Sequence, residues 1–210
     1  MSGHFISFEG GEGVGKSTQA RIFAERLRAR GAEVVETREP GGTPNAEAIR
    51  ALLLSGERER WDARAEVLLF AAARADHVAR VIRPALERGA WVVCDRFIDS
   101  TLAYQGGAGG ISNAQIRTIH DFATKALMPE LTLLLELDDS LAAERAHLRD
   151  EGAADRFAAK GAAYHARVAS AFAALAHAEP RRIRRIGALG SVDTVADAVW
   201  AAVQRAGLAP

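Results

Sequence analysis

A glycine-rich stretch near the amino terminus has a pattern that few folds accommodate. Residues 10–17 read GGEGVGKS and satisfy G-x-x-x-x-G-K-[ST]. An apolar run at 5–8 precedes the stretch, and Phe23, Ala24 and Leu27 follow it at helical spacing. In a turn between a strand and a helix, glycines let successive backbone N–H groups point toward one anion, and the helix N-terminus adds partial positive charge. The pattern therefore predicts a phosphate-binding loop in an α/β protein.

The positions of this loop have distinct expected roles. We expect the Lys16 ammonium to reach the β- and γ-phosphates of ATP and the Ser17 hydroxyl to bind Mg²⁺. The chain has only three lysines among its 27 basic residues, and a compact ammonium suits position 16 better than a guanidinium fork. The expected ATP-binding residues are Gly10, Gly11, Glu12, Gly13, Val14, Gly15, Lys16, Ser17 and Thr18.

Two other classes of nucleotide-binding protein fit this sequence less well. The glycines do not give the G-x-G-x-x-G spacing of a dinucleotide-binding Rossmann fold. A GTPase usually carries an Asn-Lys-x-Asp motif that reads the base, and neither Asn45 nor Asn113 is followed by lysine. Both classes are therefore disfavoured.

Composition narrows the choice of partners and compartment. The 210 residues include 27 acidic and 27 basic side chains, so no net basic charge indicates binding to nucleic acid or to a membrane surface. The single cysteine, Cys94, cannot form an internal disulfide, and the amino terminus has no signal-peptide pattern. We expect one cytoplasmic domain over residues 1–210, with no membrane span.

Apolar periodicity alternates between strands and helices along the chain. Strands are expected at 5–8, from 34 to a charged end at 37–40, and at 91–95, 131–137 and 182–186. A helix at 62–88 is expected to be kinked or divided by Pro84, because proline removes an interior hydrogen bond. The glycine-rich residues 106–110 are expected to form a flexible connector. The order predicts a three-layer α/β fold with about five mainly parallel strands flanked by helices.

Charged residues follow three of the predicted strands. Glu9 ends the first strand, Arg38 and Glu39 end the second, and Asp95 and Arg96 end the third. In an open α/β sheet, ligands bind beyond the carboxyl ends of the strands, so these side chains should meet in one crevice. An acid at position 95 suits Mg²⁺, and an adjacent arginine suits a second phosphate that it can bind with two N–H groups.

Four segments make the chain resemble bacterial thymidylate kinases along nearly its whole length. They are residues 8–18, the TREPGGT stretch at 37–43, the LFAAAR stretch at 69–74 and the CDRFIDSTLAYQG stretch at 94–106. The resemblance implies a P-loop kinase fold and, as the activity, transfer of the ATP γ-phosphate to dTMP. It also implies Mg²⁺ as cofactor, held by Ser17 and Asp95, and a homodimer formed by helices beside the segment at 62–88.

The resemblance also implies roles for residues that bind dTMP. Phe70 would stack on thymine, Arg74 would donate to its carbonyl edge, and Thr101 and Gln105 would hydrogen-bond the base. Tyr104 would pack under the sugar, and Glu12 would lie near the sugar and phosphate. Glu39 would orient Mg²⁺, water or the phosphate-binding arginines. The expected dTMP-binding residues are Glu12, Glu39, Arg50, Phe70, Arg74, Arg96, Thr101, Tyr104 and Gln105.

A charged break at about 148–158 is expected to form a mobile lid. The phosphate loop has no arginine at its centre, so positive charge for the transferred phosphoryl group must come from elsewhere. One branch of the family supplies that charge from a lid, which makes Arg149 and Arg156 candidates and Arg145 a weaker one. The run at 155–157 resembles the end of that lid, although Ala158 and Ala159 depart from the family pattern.

These observations predict a nucleoside monophosphate kinase that converts dTMP and ATP to dTDP and ADP, a step toward dTTP. The expected catalytic residues are Lys16, Asp95, Arg96, Arg149 and Arg156. Two alternatives stay open. One is a kinase of the same fold acting on another monophosphate or on a nucleoside, and the other is a nucleotide-binding regulatory protein without transfer activity.

Overall fold

Five parallel strands form the centre of the molecule. A computed structural model of the chain describes residues 3–57, 59–150 and 156–208, with all of their side chains except those of 139 and 146–150. The strands are β1 (Phe5–Glu9), β2 (Val34–Arg38), β3 (Trp91–Asp95), β4 (Leu131–Glu136) and β5 (Ile183–Gly187). They form one sheet in the order β2-β3-β1-β4-β5, and every neighbouring pair is parallel. The predicted α/β class is confirmed.

Helices connect the strands and cover both faces of the sheet. They are α1 (Lys16–Arg28), α2 (Pro44–Leu54), α3 (Ala63–His77), α4 (Arg83–Glu87), α5 (Ile98–Thr101), α6 (Asn113–Thr124), α7 (Asp139–Asp150), α8 (Ala162–Ala178) and α9 (Val192–Arg205), with π-helices at Val78–Ile82 and Leu102–Ala108. Side chains of Thr43, Asp62, Ser112 and Ser191 accept the first free N–H groups of α2, α3, α6 and α9. Within the described ranges, every helix is too short or too polar to cross a membrane.

The core has two parts, one on each face of the sheet. Phe5 of β1 packs into the part that contains α8, whereas Ile6 and Phe8 pack into the part that contains α1 and α9. Successive side chains of a strand point to opposite faces of the sheet. A strand that is almost continuously apolar, such as β1 or β4, therefore contributes side chains to both parts of the core. This two-sided burial explains why the central strands were recognisable from their apolar runs.

The register of the sheet brings three strand ends to one level. Phe8 of β1 and Arg38 of β2 both pair with Asp95 of β3. Glu9, Glu39 and Arg96, each one residue further along, therefore leave the sheet at the same edge. The loop that follows β1 leads from that edge into α1.

Pro84 lies in the first turn of α4, where the helix at 62–88 is interrupted as expected. α3 ends at His77, a π-helical turn runs over Val78–Ile82, and α4 resumes at Arg83. Proline has no N–H to donate, and its ring crowds the carbonyl four residues earlier. The wider π-helical turn before Pro84 accommodates both the missing hydrogen bond and the ring.

The expectation of a flexible connector at 106–110 is wrong for its first three residues, which end a π-helix. Gly106 and Gly107 belong to the second π-helix (Leu102–Ala108), and Gly106 is buried. A Cβ on Gly107 would lie 2.3 Å from the Cβ of Ala171 on α8. The absence of a side chain on Gly107 therefore allows the π-helix to pack closely on α8, a role that local sequence does not reveal.

Candidate active site

A cavity opens at the sheet edge where β1, β2 and β3 end. Most residues that the sequence singled out line its wall. The lining residues from that set are Glu12, Lys16, Ser17, Glu39, Arg50, Phe70, Arg74, Asp95, Arg96, Thr101, Tyr104 and Gln105. The phosphate loop and the residues expected to bind the acceptor thus lie in one continuous space, although Glu12 and Gln105 are 93 residues apart in the chain.

The phosphate loop depends on backbone conformations that favour glycine. Gly10, Gly13 and Gly15 have φ values of 136°, 73° and 92°, in the region that side chains with a Cβ rarely adopt. A Cβ on Gly10 would also lie 2.4 Å from the carbonyl oxygen of Leu135. Two constraints, one conformational and one steric, therefore hold position 10 as glycine.

Lys16 crosses the inside of this loop. Its Nζ donates to the carbonyl oxygen of Gly11 at 2.5 Å, and the residue is 6% exposed. Burial, together with the nearby Arg96 charge, lowers the pKa of Lys16 to about 8. An ammonium held at this site is ready to exchange a backbone carbonyl for a phosphate oxygen.

Ser17 and Asp95 supply oxygen atoms suited to a magnesium ion. The Ser17 hydroxyl donates to Asp95 Oδ2, while Asp95 Oδ1 is buried and has no hydrogen-bond partner within the described residues. A buried carboxylate oxygen without a partner is costly and fits a site meant for a cation. Within the described part of the chain, no group of three His, Cys, Asp or Glu side chains could hold a metal. Mg²⁺ commonly takes only one or two protein ligands besides phosphate and water, so this pair fits it.

Arg96 joins the phosphate loop to the end of β3. Its guanidinium donates to Gly10 O and Ser100 Oγ, both at 3.0 Å, and to Glu12 Oε1 at 2.5 Å. Its backbone has a φ of 71°, which is strained for a residue other than glycine. The guanidinium also lies 5.2 Å from the centre of the Tyr104 ring. Four groups therefore hold the Arg96 guanidinium in place beside the phosphate loop.

Glu9 holds the residues that flank and contact Arg96, a role that the sequence did not assign. Its Oε1 accepts the Phe97 N–H at 2.7 Å and its Oε2 accepts the Ser100 hydroxyl at 2.6 Å. Burial, together with the charge of Asp99, raises the pKa of Glu9 to about 7. The position of Glu9 at the end of β1 was the only local signal.

The far end of the cavity is apolar on one side and polar on the other. Phe70 lies on the wall, with its ring centre 5.9 Å from that of Phe157. Arg74 donates from Nε to Glu39 Oε2 at 2.6 Å and from Nη2 to Thr101 Oγ1 at 3.0 Å. This pocket can take a flat ring that has polar atoms along one edge.

Glu39 is the counter-ion of Arg74. Burial alone would raise the pKa of the Glu39 carboxyl, but Arg74 and His77 outweigh burial and lower it. His77 is buried and bonds Glu39 Oε1 at 3.1 Å on one side and Thr37 Oγ1 at 2.7 Å on the other. His77 was not predicted, although it follows Arg74 by three residues on the same face of α3.

Two further residues that are expected to bind the acceptor are held by nearby backbone and carboxylate groups. Arg50 donates to the Pro40 carbonyl at 2.8 Å. Gln105 donates from Nε2 to Glu66 Oε2 at 3.1 Å. Glu66 was not predicted, but it precedes Phe70 and Arg74 at a spacing of four residues on α3, which places all three on one face.

The expected lid is only partly described. Arg156 is buried on α2 and α3, where its guanidinium donates to Leu53 O at 3.0 Å and to Glu66 Oε1 at 2.7 Å. The next residue, Phe157, lines the cavity. Residues 151–155 and the side chain of Arg149 lie outside the described residues, and Arg145 is exposed on α7.

Comparisons with known proteins agree with this geometry. A family model described as thymidylate kinase matches residues 8–199. A thymidylate kinase of Rhizorhabdus wittichii is 58% identical over 93% of this chain and 94% of that protein, and one of Caulobacter vibrioides is 49% identical over 98% and 99%. The crystal structure of thymidylate kinase from Ehrlichia chaffeensis superposes with a TM-score of 0.79 at 32% identity, covering 97% of this chain and 100% of that one. The chain belongs to the thymidylate kinase family, whose known reaction is the phosphorylation of dTMP to dTDP.

Proposed function

We propose that this chain transfers the γ-phosphate of ATP to dTMP in the cavity described above, producing dTDP and ADP for dTTP synthesis. The observation that carries this proposal is that a single cavity has two ends of different chemical character. The end at Lys16 and Ser17 suits a triphosphate, and the end at Phe70, Arg74 and Gln105 suits a pyrimidine base. Arg96 lies between them, beside the loop that holds the triphosphate.

The donor side rests on the loop at 10–18. Its backbone N–H groups and the N-terminus of α1 bind the ATP phosphates. Lys16 leaves the Gly11 carbonyl and bridges the β- and γ-phosphate oxygens. Because catalysis of phosphoryl transfer is mostly positioning and charge stabilisation, a preformed loop supplies much of what the reaction needs.

Mg²⁺ is the cofactor that this site fits, and Ser17 and Asp95 are the residues that would hold it. When bound, the ion neutralises charge on the phosphate oxygens. The Ser17 hydroxyl bonds Asp95 Oδ2, so Asp95 Oδ1 is the carboxylate oxygen that would bind the ion.

The acceptor side orients dTMP for in-line attack. Phe70 stacks on thymine, Arg74, Thr101 and Gln105 bind its edge, and Tyr104 packs under the sugar. Arg50 and Arg96 bind the 5′-phosphate, near Glu12. One oxygen of that phosphate attacks the γ-phosphorus while the bond to the β-phosphate oxygen of ADP breaks. Because the attacking oxygen is already anionic, the reaction needs no strong general base.

A segment at 148–158, within one domain spanning 1–210, closes over the phosphates during transfer. Arg149 and Arg156 are its candidate catalytic arginines. The ion pair of Arg156 with Glu66 supports a related task, which is to anchor the end of this segment on α3. Closure would exclude water and suppress hydrolysis of ATP.

The working unit is a homodimer in the cytoplasm. Leu68 on α3 is 58% exposed and Phe122 on the neighbouring α6 is 91% exposed. Large apolar side chains exposed on two adjacent helices support a subunit interface there.

The deciding experiment is ADP release with Mg²⁺-ATP and a panel of nucleoside monophosphates. Activity highest with dTMP supports the proposal. A different preferred acceptor would indicate another monophosphate kinase. A flat panel at the rate of ATP hydrolysis would indicate a nucleotide-binding regulatory protein.

A further inference from the structure

Glu66 of α3 is a buried carboxylate that contacts residues from two distant segments. The residue is 4% exposed. Its Oε1 accepts from Arg156 Nη1 at 2.7 Å, and its Oε2 accepts from Gln105 Nε2 at 3.1 Å. Within the described residues, the cavity wall includes Gln105 and not Glu66. Gln105 is therefore the residue through which a hydrogen bond of Glu66 reaches the cavity wall.

The contact with Glu66 determines which way round the Gln105 amide lies. A carboxylate only accepts hydrogen bonds, whereas a glutamine amide has a nitrogen that donates and an oxygen that accepts. The nitrogen must therefore face Glu66, and the oxygen is the polar end of Gln105 that is left for the cavity. The reverse orientation would set two acceptors against each other in a residue that is 1% exposed, which is costly.

Arg156 keeps Glu66 in place for this role. Its guanidinium forms an ion pair with Glu66 in which the two side chains are 0% and 6% exposed. Arg156 is itself tied to the Leu53 carbonyl at 3.0 Å. A carboxylate held this firmly has little freedom to turn its second oxygen away from Gln105.

The resulting arrangement distinguishes two pyrimidine edges. Arg74 can only donate, and the amide oxygen of Gln105 can only accept. Thymine offers a carbonyl oxygen at position 4 and an N–H at position 3, which complement this pair. Cytosine offers an amino group and an unprotonated ring nitrogen, which oppose it.

We propose that Glu66 is a positioning residue for base selection, because it holds the Gln105 amide oxygen toward the ring N–H of the acceptor. Pyrimidines with a carbonyl and an N–H on that edge are accepted, and aminopyrimidines are rejected. The inference rests on the proposed function, since it assumes a pyrimidine monophosphate at this site.

The test compares acceptor selectivity in the purified full chain. Values of kcat/KM for dTMP and dCMP are measured by ADP release in the wild type, in Glu66→Gln and in the control Glu87→Gln. Glu87 is exposed at the end of α4, so it receives the same chemical change away from the site. A glutamine at 66 can donate to the Gln105 oxygen and so permit the flipped amide. We expect the dTMP to dCMP ratio to fall about tenfold in Glu66→Gln, through KM more than kcat, and to stay unchanged in Glu87→Gln.

A second variant covers the case in which Glu66→Gln does not fold because Arg156 loses its ion pair with Glu66. The double substitution Glu66→Gln/Arg156→Met removes both buried charges. It should show the same fall in the ratio, since any effect on phosphoryl transfer common to both acceptors cancels. An unchanged ratio in either folded, active variant overturns the inference alone. A wild type that does not phosphorylate dTMP overturns the proposed function, and the inference with it.

Discussion

The guanidinium of Arg96 lies 2.5 Å from the carboxylate of Glu12, so the end of β3 and the phosphate loop are joined by an ion pair. The two side chains are 16% and 22% exposed, which leaves both open to the cavity. The same guanidinium holds the carbonyl of Gly10. The phosphate loop therefore fixes the position of the Arg96 guanidinium at the end of β3.

Replacing Arg96 should impair acceptor binding and transfer together. In Arg96→Ala we expect kcat/KM for dTMP to fall about 100-fold, because a preorganised cation at a reacting phosphate is lost. Steady-state ADP release with dTMP varied would measure this. Arg88→Ala is the matched control, because Arg88 forms an exposed pair with Glu33. Equal kinetics in the two variants would contradict a role for Arg96.

Replacing Asp95 should raise the requirement for Mg²⁺. Asp95→Asn keeps an oxygen at the site but removes its charge, so a cation is held more weakly. We expect the Mg²⁺ concentration for half-maximal velocity to rise about tenfold at saturating ATP. A Mg²⁺ titration of velocity measures this, with Asp197→Asn, at an exposed position paired with Arg26, as the control. An unchanged Mg²⁺ requirement would remove Asp95 from the cation site.

Replacing Arg156 should lower kcat while KM for ATP stays nearly the same. Its guanidinium anchors the residues around the expected lid on α2 and α3 and does not belong to the phosphate loop. Arg156→Ala should also destabilise the fold by about 3–5 kcal/mol, because Glu66 is left as an unpaired buried charge. Thermal unfolding and steady-state kinetics at permissive temperature measure the two effects. An unchanged kcat in the folded variant would separate this arginine from catalysis.

His120 should make stability depend on pH. Its ring stacks edge-on against Phe97 at 5.6 Å and its Nε2 bonds the Leu127 carbonyl at 2.8 Å. Burial, reinforced by the charge of Arg74, lowers the pKa of His120 from 6.5 to about 4. Because the unfolded chain binds this proton first, the contribution of neutral His120 is fully present above pH 6.5 and is lost as pH falls toward 4. The loss is on the order of 3 kcal/mol.

The measurement is urea unfolding of the wild type and His120→Gln at several pH values. The variant keeps a donor for the Leu127 carbonyl but has no group that titrates in this range. Its stability should fall less than that of the wild type between pH 6.5 and 4. Other groups, such as Glu9, contribute equally to both proteins and cancel in the difference. Identical pH dependence in the two proteins would show that His120 does not carry this effect.

A charge at Phe122 should weaken self-association. In Phe122→Glu, a carboxylate replaces an apolar side chain that is 91% exposed in the single chain, so an interface built on it would be disrupted. We expect the mass from light scattering to change from that of a dimer to that of a monomer. Leu189→Glu, at a position that is 70% exposed outside α3 and α6, should leave the mass unchanged. A dimer that survives the change at Phe122 would place the interface elsewhere.

The fold was largely predictable because its signals are local. β4 is apolar on both faces, the loop at 10–17 has glycines where backbone conformation demands them, and Pro84 interrupts a helix as its chemistry requires. The phosphate loop follows from the same signals, since its residues are consecutive in the chain. Phe70, by contrast, has the spacing of an ordinary core residue, and only the family resemblance distinguished it.

The parts that local pattern could not reveal are contacts between distant segments. The sequence predicts the strands and helices, the phosphate loop and the charged strand ends, because each of them depends on neighbours within a few residues. Three contacts join residues that are more than 30 positions apart. They are the hydrogen bond from the Phe97 N–H to Glu9, the close packing of Gly107 on Ala171, and the hydrogen bond from Gln105 to Glu66. A buried carboxylate looks the same in sequence whether it binds an arginine or orients an amide. Only packing decides which polar atom faces it, and therefore which base edge the cavity accepts.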